Sequence, residues 1–437
     1  MELQSKRKIF LTLLTNVCRM ALAAVLLVSG FVKAVDPMGA MYKLQEYVSS
    51  FELDILSGDW LLFVAIVQAA VEFLVGAFLL MGVYRKPMSV LAFLMFLFFT
   101  PFTLYIALND PVADCGCFGE AMVLTNKQTF FKNALLLLFA TVVFIGRKLF
   151  VCNLSSRNRW IMVIFSILYI SLVEGLSLSH LPVLDFRPYA VGNDLCAMVN
   201  GADEMYNLQL LVEQDGVEHE SEADTVPDES WLMADSRPEF VDKPVGDFSI
   251  LDWYSDYDVA DDILADTGYV CVVAIELVEE AEVSRVDRLN DFYDYCLEKS
   301  VPFYAATASG EDEIELWRKR TGAEYPIYWA DASLLRTMVR ANPGVLLFKD
   351  GVIVGKWNVS DVPDTELLSA SPTGMPDKIV TLADRMRGWL FWTLAFFAPV
   401  VLIIMFDLVT GRPGRARRRN AAADDIPIPS QEINIEK

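Results

Sequence analysis

Six stretches of this chain, residues 9–32, 60–83, 89–108, 130–146, 160–178 and 389–406, are long and almost wholly apolar. The hydrocarbon core of a bilayer is about 30 Å thick, and a helix needs about 20 apolar residues to cross it. Within hydrocarbon each backbone N–H and C=O must find its partner inside the segment, so such stretches are helices. "KRK" before the first stretch resembles the basic start of a signal peptide. Its apolar run is too long, no small-residue cleavage site follows and four more spans come soon after, so it reads as a retained helix.

Lysine and arginine give the expected orientation. Lys6, Arg7 and Lys8 precede the first span; Arg85 and Lys86 lie between the second and third; Arg147, Lys148, Arg157 and Arg159 lie between the fourth and fifth; "GRPGRARRR" follows the sixth. Six spans put all four groups on one side, the cytoplasmic one, with both termini. The stretch from about Ser179 to Arg387 then lies outside. It explains why a chain that is 54% hydrophobic carries a net charge of −22. That segment has an excess of about 26 acidic residues, more than the whole chain's net charge. Such a surface is a solvated one, and it excludes nucleic acid as a partner. "DYDVADD" lacks the glycine and terminal glutamate of an EF-hand loop.

The expected architecture is a six-helix membrane bundle with an external α/β domain. Residues 1–178 form a membrane domain of five spans, and the loop after the first span is expected to hold a short amphipathic helix. Residues 179–244 are an extended connector with a hairpin turning at Asp215-Gly216. Residues 245–370 alternate strand, helix, strand, helix and close on a hairpin turning at Asp350-Gly351. Residues 371–410 are a linker and the sixth span, and 411–437 a basic, then polar and disordered tail.

Chemistry concentrates in "DCGCFG". Cys115 and Cys117 lie outside the cytoplasm, where disulfides persist. Their Cα atoms lie within about 7 Å, and Gly116 lets the chain turn so that a disulfide can close. The ring is small and strained, which suits exchange better than stapling, although a structural bridge is the competing role. Cys196, after the fifth span, is a candidate resolving thiol; an unpaired or buried thiol is its alternative. Cys271 and Cys296 read as packing thiols. No metal site is expected, because neither His180 nor His219 is near the pair and zinc takes four ligands. Arg19 and Glu72, each about halfway along its span, are expected to form an intramembrane ion pair, either a helix lock or a polar site for a quinone head group or a proton path. Lys33, near the outer end of its helix, snorkels.

Two resemblances sharpen this reading. "CRMALAAVLLVSGFVKAVDP" and "QAAVEFLVGAFLLMG" resemble the first two helices of the DoxX superfamily, with Arg19, Ser29, Gly30 and Lys33 matching on the first and Glu72 and Gly76 on the second. "DCGCFG", which adds Gly116, Phe118 and Gly119, is similar to the cysteine motif of the MauE branch, named for methylamine utilisation. That resemblance covers roughly residues 10 to 146. Separately, residues 245 to 360 resemble a thioredoxin-like fold in which Pro343 would be the cis-proline. The fold's C-x-x-C position reads "ELVEEAEV", without cysteine.

The resemblances imply a multi-pass protein of a bacterial inner membrane with a large periplasmic domain. It would be a thiol-disulfide redox protein cycling Cys115 and Cys117, exchanging electrons with a membrane quinone or with a thioredoxin-like or exported client protein. The alternative is a non-enzymatic scaffold or a maturation factor whose redox-inactive thioredoxin-like domain binds an envelope protein.

Overall fold

The computed structural model describes residues 2–51, 57–112, 115–149, 154–155, 158–199, 210–214, 217–221, 248–255, 257–369, 374–375 and 382–410. The expected tail after 410 and its arginines, and the Asp215-Gly216 turn, lie outside them.

Among the described residues, six helices are long and apolar enough to cross a membrane: α1 (Glu2–Val35), α3 (Gly58–Met81), α4 (Arg85–Asn109), α5 (Asn126–Ile145), α6 (Arg159–Ser179) and α11 (Leu382–Thr410). Between α1 and α3 lies α2 (Pro37–Ser50), the short helix expected in that loop. Asp36 caps it by accepting the Gly39 N–H at 2.9 Å, and Pro37 fills a first-turn position where no N–H is needed.

The tightest pairing in the bundle is α1 against α3. A Cβ on Gly76 would lie 2.7 Å from the Leu27 backbone N, and one on Gly30 would overlap the backbone of Phe73 and Ala69. In lipid, helices associate through such close backbone approach rather than through hydrophobic burial. This contact fixes the register that sets residues 29 and 30 of α1 level with 72 and 73 of α3. Exposed Trp60, Trp160 and Trp389 stand near span ends, as interfacial anchors do.

α11 packs on α6 through Tyr169, whose hydroxyl donates to the Trp392 carbonyl at 2.9 Å, and through Phe396. Its far end is tied as well. Asp407 accepts from the Ser155 N–H at 2.8 Å and from Asn158 Nδ2 at 2.6 Å, at the start of α6. The rest of α11 carries exposed Leu390, Phe391, Leu394, Val401 and Leu402, a surface suited to lipid.

The remainder is a five-stranded mixed sheet flanked by helices. β3 (Tyr269–Ile275), β4 (Phe303–Thr307) and β5 (Ile327–Trp329) run parallel; β6 (Gly344–Lys349) and β7 (Val352–Asn358) are antiparallel to their neighbours, in the spatial order β5-β4-β3-β6-β7. Side chains alternate along β3. Cys271, Val273 and Ile275 face α8 (Val286–Glu298) and α9 (Glu311–Thr321). Val270, Val272 and Ala274 face α7 (Ala260–Ala265) and α10 (Ala332–Met338). Cys271 and Cys296 are fully buried in the first of these layers, as expected of packing thiols. A separate hairpin pairs β1 (Leu210–Gln214) with β2 (Val217–Ser221).

The module's connection to α6 is built on one carboxylate. Asp185 accepts from Arg187 Nε at 2.8 Å and from Lys356 Nζ, on β7, at 2.7 Å. Burial opposes ionisation of Asp185, but Lys356 and Arg187 outweigh it and hold the carboxyl below the ordinary range.

Candidate functional site

The loop between α4 and α5 carries the cysteine pair onto the C-terminal end of α1, beside Glu72 in the middle of α3. Gly116 adopts φ +61°, a conformation that favours glycine, and this turns the two thiols toward each other. Their sulfurs are 3.0 Å apart, as two thiols. The backbone at both is held from below: the Tyr47 hydroxyl donates to the Cys115 carbonyl at 2.8 Å, and Ser29 Oγ lies 2.8 Å from the Cys117 carbonyl. Gly119, also at positive φ, packs against Val32.

Ser29 belongs to a buried polar cluster. Its hydroxyl is also 2.7 Å from Glu72 Oε2, and a hydroxyl has a single proton, so Glu72 and the Cys117 carbonyl compete for it. Lys33 Nζ donates to both Glu72 oxygens, at 2.7 and 2.8 Å, and Gln68 Nε2 to one at 3.0 Å. A carboxylate that is 2% exposed is tolerated because four contacts satisfy it.

The expected Arg19–Glu72 pair is therefore corrected to Lys33–Glu72. Arg19 is buried in α1, ten residues before Ser29, or about 15 Å of helix rise away. Counting to the middle of each apolar stretch misjudged depth, because α1 continues to Val35 and its C-terminal end is level with the middle of α3. Lys33 is 11% exposed and does not snorkel.

The electrostatics separate the two thiols. The hydrogen bond from Cys115 favours a thiolate at Cys117; burial opposes it; Lys132 and Lys33 add positive charge nearby, and Cys117 is brought down to about 6. Cys115 is pushed far up, because its proton is the one held between the sulfurs and it is buried beside the negative Cys117. Lys132, on α5, also sits 4.4 Å from the Phe118 ring centroid, so the aromatic of the motif holds the cation. Lys132, Tyr47 and Gln68 were not singled out from sequence. An i, i+4 spacing marks Gln68 beside Glu72, but nothing local marks the other two.

Cys196 is not brought to the pair. Its thiol donates to the Leu264 carbonyl at 3.1 Å and packs on Gly351, at the end of β6 remote from Gly344, a strand length of roughly 17 Å. Pro343, whose bond to Asn342 is cis, lies at the near end.

That near end docks on the membrane face. Arg340, 5% exposed, bonds Asp36 at 3.1 Å and Glu120, next to the cysteine motif, at 2.7 Å. Tyr42 of α2 stacks with Arg336 and Arg340, 4.8 and 5.3 Å from its ring centroid. Glu276, just past β3, accepts from the Tyr42 hydroxyl at 3.2 Å and from Arg336 Nε at 2.6 Å. Between module and membrane face remains a cavity of about 520 Å³ that reaches Gly116.

Residues 11–146 match the family model described as methylamine utilisation protein MauE. The matched segment runs from α1 through α5 and contains the cysteine pair, the Ser29–Glu72–Lys33 cluster and Lys132; the sheet module lies outside it. No curated protein and no solved structure matches the chain. In the MauE-like segment, Ser29, Gly30, Lys33, Glu72, Gly76 and the cysteine motif converge on one place, and Arg19 stands apart.

Proposed function

We propose that this is a thiol-disulfide exchange protein of the DoxX/MauE type, set in a bacterial inner membrane with the cysteine loop and the sheet module facing the periplasm. The observation that carries the reading is the 3.0 Å sulfur pair, with Lys132 and Lys33 placed where they favour a thiolate at Cys117. The Cys117 thiolate attacks one sulfur of a partner disulfide. That S–S bond breaks, and the partner's other sulfur leaves as a thiolate and takes up a proton. Cys115 then loses its proton and attacks the Cys117 sulfur. The mixed disulfide breaks, the partner departs as a dithiol, and Cys115–Cys117 is left oxidised. Two electrons and two protons have reached the partner. The reverse sequence oxidises a partner dithiol, and the relative potentials set the direction.

The module's strand order, and the position of Pro343 before β6, support a thioredoxin-like fold without its own C-x-x-C. The end of β3 at which that fold carries its cysteines is here Glu276, engaged with Tyr42. No quinone step is assigned to Arg19 and Glu72: they are not together, and Ser29, Lys33 and Gln68 occupy the carboxylate.

Partner trapping tests the reading. Cys115→Ser removes the resolving thiol and should accumulate mixed disulfides through Cys117, visible as reducible adducts on gels of acid-quenched membranes. Cys117→Ser should give none. Equal trapping by both variants, or by neither, rejects the assignment. A double serine variant that keeps its cellular function favours the scaffold reading instead.

A further inference from the structure

We propose that the cavity between the sheet module and the membrane face is the binding site for a short, polar peptide disulfide, the substrate of the exchange reaction above, on which this inference rests. Its floor is Gly116 with the outer end of α1; α2 and α10 form opposite walls. At about 520 Å³ it lies within the range of small-molecule sites and takes a segment of a few residues, not a folded domain.

The lining chemistry favours a peptide over a lipid-borne carrier. The cavity runs from Val32 and Lys33 at the end of α1 out along α2 and the module, and its accessible charges have both signs: Glu46 and Glu120 are 41% and 39% exposed, Arg336 and Lys43 31% and 22%. A peptide offers ammonium, carboxylate and amide groups to such a lining, whereas an isoprenoid carrier offers none. The cavity meets the cysteine loop at Gly116 and Gly119. The Lys43 stem lies on Gly116, so closely that a Cβ there would be 2.7 Å from Lys43 Cγ. Rotation of that stem, whose ammonium pairs with Glu46 at 2.7 Å, would widen the cavity at the residue between the two thiols. Oxidised glutathione and a cysteine-bearing loop of an exported protein share this chemistry.

The test uses the full-length, reduced protein in lipid nanodiscs. Thiol loss is followed with three disulfides: oxidised glutathione, a cyclic peptide closed by a disulfide, and hydroxyethyl disulfide as a small uncharged reference. Ser333→Trp and Gln45→Trp each place an indole in the cavity from opposite walls. Each should lower the ratio of the peptide rate to the hydroxyethyl disulfide rate by about tenfold. Loss with glutathione alone marks a free tripeptide as the source, and loss with the cyclic peptide marks a protein loop. An unchanged ratio in both variants overturns the cavity assignment while leaving the exchange reading in place. A wild type that reacts with none of the three overturns the exchange reading, and this inference with it.

Discussion

Lys132 shows how a single residue sets the chemistry of the loop. It lies in a span, fifteen residues beyond Cys117, yet its ammonium sits over Phe118 and next to the Cys117 sulfur. A cation near a thiolate lowers its pKa, so alkylation of Cys117 by iodoacetamide should rise through about pH 6, below the usual thiol range of about 8.5. Lys132→Met should move that midpoint upward and reduce the alkylation rate at pH 7 by about tenfold. If the pH profile stays where it was, Lys132 is no electrostatic partner of the pair. The pair itself was legible in the sequence, since Cys-Gly-Cys is local. Its polarity was not, because the charges that create it come from α1 and α5, and only the fold brings those together.

Among elements, α1 and α3 are decisive. Gly30 and Gly76 let their backbones meet, and the Lys33–Glu72 pair sits at the same contact. Glu72→Gln leaves a buried ammonium without its carboxylate and should destabilise the bundle by about 3–5 kcal/mol, read as a lower detergent denaturation midpoint. The double variant Lys33→Met/Glu72→Gln should recover part of that loss. A double variant less stable than Glu72→Gln would mean that Lys33 contributes mainly by packing. The small residues and the intramembrane charges were visible along each helix. Which charge meets which depends on the offset between two antiparallel helices, and hydropathy alone cannot supply it. The strand, helix, strand, helix order of the module and the Asp350-Gly351 hairpin were read directly, because each is local.

At the scale of the whole molecule, charged joints hold the module in place. Arg340→Ala should release the module from Asp36 and Glu120 and raise amide exchange in α2 around Tyr42, with little change inside the sheet; protection that stays at the wild-type level would mean that Arg340 is not the latch. The Asp185 joint has its own pH dependence. Its folded carboxyl is held below the unfolded value of about 3.9, so the contribution of Asp185 ionisation is complete above that pH and is lost as the pH falls below it. Exchange at Arg187–Tyr189 should rise on acidification in that window, and Asp185→Asn should raise it at neutral pH. The contact between the acidic module and the membrane face could not be read from sequence, since it joins Arg340 to residues more than two hundred positions away.

The chain enters the module from α6 and leaves it through α11, and those two helices are packed on each other and tied again at Asp407. The wall that the module gives the cavity is thus leashed at both ends to the bundle that carries its floor. Such a leash holds the two faces at an effective concentration near the millimolar range, whatever the amount of protein in the membrane. Turnover per molecule is therefore independent of how sparsely the protein is seeded in a bilayer, and a rate that falls on lateral dilution would point to a site shared between two chains.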